Sequence, residues 1–451
     1  MSKQLSLLLS TLMLAACTGE IAAPPQPLTI QPLEVRTEIT ETIQDEVIVK
    51  YRSGFSTQAT RPAPLVAGAK VLDTFNTNED TTQLLHLPQG IKLDTALKTY
   101  QADHSVEFAV PNVKFKVQMG LSERLKRWWT GSASSAAPAP EPVRKAPQLA
   151  STPVEIKDPL SQDQWYLASL GMDQVWSDYG TGSSGVTVAV LDTGVDYTHP
   201  DLADKIIKGP DYVDQDFDPK DEHGHGTHVA GIIVAGLNNE QGIAGLAPQV
   251  KVLAIRVLDA KGSGSLFRIA KGIAYAANNG ARVINLSLGS PPGGGLMKSL
   301  ANFLAGYAER KGALIVAAAG NAGGAIGYPA AASKFLSVGA VNQQNYLASF
   351  SNRGPELDVV APGVDIMSTF PTYEVTANAS GLPHNYASLN GTSMATPMVS
   401  ALAAMILSKD PYLTPAELRA KIEANTTDIG TIGRDDMFGN GLINPAKSLK
   451  D

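Results

Sequence analysis

The chain has 451 residues, 43% of them hydrophobic and 18% charged, with 36 Lys and Arg against 43 Asp and Glu for a net charge of −7. That length exceeds one average domain, and the composition is that of a globular protein and not a disordered one. The acidic balance disfavours nucleic acid as a partner, and the single cysteine excludes an intramolecular disulfide.

Lys3 precedes an apolar run, Leu5 to Ala16, of about a dozen residues, too short to span a bilayer as a helix and suited to a secretory signal. The run closes on Leu14-Ala15-Ala16-Cys17, which resembles the bacterial lipoprotein lipobox. The resemblance implies a signal peptide over 1–16 and acylation of Cys17, which would tether the chain to a membrane. Thr18 in place of Asp implies sorting to the outer membrane of a Gram-negative envelope. A plain signal peptide with an incidental cysteine is the alternative. Residues 17–43, rich in Pro, Thr and Glu and without period, are expected to form a tether.

Strands are expected at Asp45–Tyr51, Val71–Phe75, Gln83–Leu87 and Val106–Pro111, with a short helix at Leu93–Tyr100. Together they predict a small α+β domain over 44–118. Residues 119–157 begin with a basic, helix-compatible segment ending in Trp128-Trp129. It suits packing on its own domain or contact with an anionic membrane surface. From Gly131 to Pro147 follows an Ala-, Ser- and Pro-rich linker with no capacity for a core.

The texture changes over 158–451. Nearly continuous apolar runs, Val186–Leu191, Val252–Ile255, Val283–Leu286, Leu314–Ala318 and Phe335–Gly339, read as strands buried on both faces. Helical stretches, Thr227–Ala235, Leu266–Asn279 and Met297–Lys311, lie between most of them. This alternation predicts an α/β fold, a parallel central sheet flanked by helices with right-handed crossovers. Chemistry is then expected at the carboxyl ends of the strands. The polar motifs fall at such ends or at helix starts: Asp192-Thr193-Gly194, His223 to His228, Gly320-Asn321, and Asn390 to Pro397 ahead of a buried helix, Met398–Leu407. Ser393 is read at the mouth of that helix, where free N–H groups converge, with Pro397 in its first turn.

A serine hydroxyl is a weak nucleophile until a base takes its proton, and histidine titrates near the pH of use. A buried carboxylate holds the imidazole in one tautomer and stabilises its charged form. Asp192, a histidine of the 223–228 cluster and Ser393 can supply all three, and Asn321 an amide for a developing oxyanion.

Asp192-Thr193-Gly194, His225-Gly226-Thr227-His228-Val229-Ala230-Gly231 and Gly391-Thr392-Ser393-Met394-Ala395-Thr396-Pro397 resemble the three signature motifs of the subtilisin-like serine proteases, in that family's order. The resemblance runs from Gln164 to Ser448. It implies that Asp192 orients, His225 is the general base, Ser393 the nucleophile and Asn321 the oxyanion amide; His228 is structural and His223 has no assigned role. It further implies that Ser287-Leu288-Gly289, flanked by Gly262 and Gly264, pairs with a substrate strand. Gly327 would floor a P1 pocket with room for a large apolar side chain, and Leu266 and Ile269 would wall a P4 pocket or serve only as helix core.

Leu237-Asn238-Asn239-Glu240-Gln241-Gly242-Ile243 is similar to the family's calcium loop. The likeness implies a structural Ca²⁺ held by side chains of Asp201 and Asn239, carbonyls of Leu237, Gln241 and Ile243, and Gln162 or Asp163; a metal-free turn is the alternative. The 44–118 domain is similar, more distantly, to the subtilase propeptide, an intramolecular inhibitor and folding chaperone. That implies self-cleavage between Val117 and Asp163. The expectation is a self-processing, initially lipid-anchored secreted endopeptidase, acting as a monomer on polypeptides with no organic cofactor. A binding protein without turnover, and a protease that cuts itself once and stays inhibited, are the competing readings.

Overall fold

The structure is a computed structural model that describes residues 41–53, 63–77, 80–117, 120–121, 151–292 and 295–450. The Cys17 lipobox, residues 17–40 of the tether, the Trp128-Trp129 segment and the linker up to residue 150 lie outside the described residues.

Strands β1 (Thr42–Tyr51), β2 (Lys70–Thr77), β3 (Asp80–His86) and β4 (Val106–Val117) form an antiparallel sheet with the helix Leu93–Gln101 on one face. The pleat sorts their side chains. Val47, Val49, Tyr51 and Ala109 pack with Leu97 and Tyr100 of that helix, while Ile48, Phe108, Val110 and Phe115 join the core of the following domain. A two-residue strand, β5 (Gly120–Leu121), follows.

The second domain holds β6 (Thr187–Asp192), β7 (Ile206–Asp211), β8 (Lys251–Arg256), β9 (Ser263–Ser265), β10 (Val283–Leu286) and β11 (Leu288–Gly289). It continues with β12 (Leu314–Ala318), β13 (Leu336–Val341), β14 (Val359–Pro362), β15 (Ile366–Thr369) and β16 (Tyr386–Asn390). Seven of these make one parallel sheet in the order β14-β13-β12-β10-β6-β8-β7. Helices cover both faces. Val188 and Val190 of β6 pack with the helices His225–Val234 and Thr392–Lys409, and Ala189 and Leu191 with Leu266–Asn278 and Gly295–Arg310. Burial on both sides is why the interior strands read as nearly continuous apolar runs.

Two strands of this seven-stranded sheet lie outside the expected apolar runs, β7 and β14, and both are its edges. β7 contains Gly209-Pro210 and exposes Ile207, and β14 ends at Pro362, compositions that only an edge tolerates. The expected strand ending at Pro111 runs on to Val117. Its last residues gain partners from the other domain: Lys114, Phe115 and Lys116 pair with β9, and Lys116 and Val117 with β11. Pro111 sits beside a break in the β1–β4 register, where a missing N–H is tolerated.

Phe115 is buried in a cavity wall with Leu266, Ile269, Ile273, Met297 and Tyr328. Phe115→Ala is expected to cost about 3 kcal/mol of the seating of this strand. The measurement is amide exchange at Lys116 and Val117, which should accelerate while the β6 amides stay protected.

Candidate active site

Asp192 ends β6, and His225 opens the helix His225–Val234. Ser393 lies in the first turn of the helix Thr392–Lys409, and Asn321 follows β12 by three residues. All four stand where the parallel strands end, as such sheets dispose their chemistry. His225 Nδ1 is 2.7 Å from Asp192 Oδ1, which also accepts the Thr193 N–H at 2.7 Å. The side chains of Asp192, His225 and Ser393 are all fully buried. His225 Nε2 has no hydrogen-bond partner among the described residues. Ser393 Oγ donates to the Ser287 carbonyl at 2.8 Å.

The serine helix begins differently from the expectation. Gly391 is its N-cap, Ser393 is already helical, and Pro397 stands in the second turn and not the first. Proline there removes the N–H that would bond the Ser393 carbonyl four residues earlier. That carbonyl accepts instead from Ser287 Oγ at 2.9 Å. Ser287 and Ser393 thus exchange hydroxyl and carbonyl bonds, which ties the nucleophile candidate to the segment entering β11.

The Asn321 carboxamide oxygen accepts from the N–H and the hydroxyl of Thr392, both at 2.9 Å, which fixes its amide plane beside Ser393. His228 is fully buried, with Nε2 at 3.0 Å and 3.1 Å from the carbonyls of Ile366 and Ala387. Burial, and then the neighbouring His225, push its pKa down to about 3, so it is neutral and ties its helix to β15 and β16. His223 is nearly buried, its ring centroid 6.4 Å from that of His225, and burial lowers its pKa.

The substrate-strand residues come together around β4. Leu288 and Gly289 pair with Val117 and Lys116, Gly264 pairs with Phe115, and the Val117 N–H donates to the Gly262 carbonyl at 3.0 Å. On the other side of Ser393, Gly120 and Leu121 pair with Asn390 and Leu389. Leu266 and Ile269 are both core residues and walls of the Phe115 cavity. At Gly327 a Cβ would lie 2.2 Å from the Ser290 carbonyl, so close backbone approach requires glycine there.

Of the expected calcium ligands, Asp201 is buried, accepts from Asn239 Nδ2 at 2.7 Å, and accepts the Ile243 N–H at 3.0 Å. Leu237 and Gln241 lie in the same loop. Gln162 is exposed on the turn Ser161–Asp163 and Asp163 is half-buried. The buried side chain that this segment sends to the loop is Asp158, which accepts the N–H groups of Asn238 and Asn239 at 2.8 Å and 3.0 Å. Burial raises the pKa of Asp158 and of Asp201, and the charge of Asp158 adds to the rise at Asp201. Two desolvated carboxylates, Asp158 and Asp201, turned to one loop are the oxygen donors that a hard cation takes.

A buried serine, histidine and carboxylate at the exits of a parallel sheet define a serine hydrolase of the subtilisin fold. Residues 183–441 match the model of the subtilase family, and residues 34–112 that of the fervidolysin N-terminal prodomain. A thermophilic serine proteinase of Bacillus sp. (strain AK1) is 38% identical over 93% of this chain and 90% of its own. Thermitase of Thermoactinomyces vulgaris is 44% identical over 61% of this chain and 92% of its own. The crystal structure of fervidolysin from Fervidobacterium pennivorans, a keratinolytic enzyme related to subtilisin, superposes with a TM-score of 0.71 at 27% identity. That match covers 91% of this chain and 61% of the fervidolysin chain. The chain belongs to the subtilase family of serine-type endopeptidases and carries a prodomain of the fervidolysin type.

The folded pKa of His228, about 3, lies below its ordinary 6.5, so the unfolded chain takes up the proton first on acidification. Stability from this group is therefore present above pH 6.5 and lost as the pH falls from there towards 3. In a Ser393→Ala background, His228→Gln is expected to flatten the decline of the unfolding temperature across that window.

Proposed function

We propose that this chain is a self-processing precursor of an endopeptidase in which Asp192, His225, Ser393 and Asn321 carry the reaction. The observation that carries the proposal is the 2.7 Å His225–Asp192 contact beside a Ser393 whose neighbouring backbone already pairs with an extended segment of the chain itself. Ser393 Oγ attacks the scissile carbonyl carbon while its proton passes to His225 Nε2. Asp192 keeps Nδ1 protonated and stabilises the imidazolium. The Asn321 amide and the Ser393 N–H receive the oxyanion. Collapse expels the amine, which takes the proton from Nε2, and water, deprotonated by the same nitrogen, hydrolyses the acyl-enzyme.

Polypeptides are bound as an added antiparallel strand, the mode that β4 adopts between β9 and β11. A preference for large apolar P1 residues rests on the family resemblance at Gly327, since the Ser290 carbonyl fills the place of its missing side chain. Leu266 and Ile269, already in contact with an aromatic ring at Phe115, support an apolar P4 preference. The prodomain occupies these positions until it is cut. Pairing of Val117 on one side of Ser393 and Gly120 on the other supports cleavage of a bond between these two residues.

A structural Ca²⁺ held by Asp158, Asp201, Asn239 and carbonyls of Leu237, Gln241 and Ile243 stabilises the mature domain. Cys17, upstream of the cut, anchors only the precursor in the envelope, so processing frees a monomeric protease from its lipid.

Wild type is expected to lose its N-terminal segment, to show a new N-terminus between residues 118 and 120, and to hydrolyse casein. Ser393→Ala stays full length and does neither, and a wild type that remains intact and inert refutes the proposal. Chelation is expected to lower the unfolding temperature of the mature enzyme, because an ion at about 1,000 times its Kd contributes about 4 kcal/mol. Asp158→Asn combined with Asp201→Asn should abolish that response to chelator.

A further inference from the structure

We propose that Asp221 is a positioning residue that sets the Asp192–His225 pair. It lies on the loop entering the His225 helix and is fully buried. Its carboxylate accepts five hydrogen bonds, every one from a neutral donor. Oδ1 receives the Thr193 hydroxyl at 2.8 Å and the N–H groups of His223 and Gly224 at 2.9 Å and 2.8 Å. Oδ2 receives the N–H and the hydroxyl of Thr227 at 2.9 Å and 2.6 Å.

The two threonines make this more than a loop staple. Thr193 follows Asp192, and its Oγ accepts the N–H of Gly226, the residue after His225, at 3.0 Å. Thr227 Oγ accepts the N–H of Asp196, on the loop that leaves β6, at 2.8 Å. Each hydroxyl therefore bridges the aspartate loop and the histidine helix, and each can accept only if its own proton points elsewhere. An ionised carboxylate is an acceptor at every lone pair and draws both protons to itself. Such charge-assisted bonds are also about twice as strong as neutral ones. The resulting approach is so close that a Cβ on Gly226 would lie 2.0 Å from the Gly194 carbonyl. Asp221 thereby orders loop and helix into the register that brings Nδ1 of His225 to Asp192.

The inference rests on Asp192, His225 and Ser393 being catalytic, and His225→Ala and Ser393→Ala controls test that premise separately: if either keeps full activity, the premise fails and not the role of Asp221. The experiment compares wild type, Asp221→Asn, Thr193→Val and Thr193→Ser as mature enzymes. Where self-cleavage is slow, tagged wild type matures the precursor and is then removed. Active sites are counted with a fluorophosphonate. Asp221→Asn puts amide protons against the Thr227 donors, and kcat per titrated site is expected to fall by a factor of about 30 or more with KM within about twofold, and the acid limb of the kcat/KM profile to move. Thr193→Val should behave alike, the double variant should be no worse than either single one, and Thr193→Ser should recover most of the rate. Additive losses, or a lower unfolding temperature with unchanged kcat and pH profile, would overturn the proposal. Should Asp221→Asn fail to fold, the Thr193→Val and Thr193→Ser pair decides by the same readouts.

Discussion

Between the end of β6 and the first turn of the His225 helix, an imidazole and a carboxylate meet at 2.7 Å with neither exposed to water. Burying a carboxylate is costly unless its lone pairs are satisfied, and pairing restores the loss only where geometry is good. Asp192 accepts the His225 ring and the Thr193 N–H on one oxygen and has no described partner on the other. The pair therefore depends on its surroundings to hold the two groups in place. Those surroundings are a strand covered on both faces and a helix buried along its whole length, which leave the backbone little freedom to relax.

The same dependence recurs at the serine. A proline in the second helical turn would ordinarily weaken the helix, since it removes an interior bond. Here the orphaned Ser393 carbonyl accepts from the Ser287 hydroxyl, and the Ser287 carbonyl accepts a hydrogen bond from the Ser393 hydroxyl. The defect in the helix becomes the link between the nucleophile and the strand edge that pairs with extended peptide. Sacrificing one helical bond and regaining it from β11's approach costs little and orients two groups at once.

Most of this was legible in the primary structure where burial dictated it. The interior strands β6, β8, β10, β12 and β13 are predominantly apolar because both faces are covered, and several of the polar motifs stand at their ends. Edge strand β7 lacks the pattern because an edge tolerates Lys208 and Gly209-Pro210, and edge strand β14 because its apolar run is only four residues long and ends in Pro362. That Asp158 and not Gln162 or Asp163 turns its side chain to the loop has a related reason: only the fold shows which member of a short irregular segment faces inward. Its place directly before Pro159 was the available signal, since that proline restricts the residue ahead of it to extended backbone. The continuation of β4 to Val117 was invisible for a third reason. Lys114-Phe115-Lys116-Val117 alternates polar and apolar residues, but its partners come from a domain more than a hundred residues away.

That continuation joins folding to inhibition. A parallel sheet is built from non-local pairings and is slow to assemble, because each crossover must close a loop before any contact rewards it. The prodomain sheet is antiparallel, and its second face carries Ile48, Phe108, Val110 and Phe115 against the helices Leu266–Asn278 and Gly295–Arg310. Asn112 reinforces the contact by accepting the Phe267 N–H at the start of the first of these helices. The same surface leads its last strand along β9, which runs directly into the first of these helices, and along β11. Any such template therefore ends with an extended peptide beside Ser393. Inhibition then needs no separate design: the strand that helps to build the cleft lies in it.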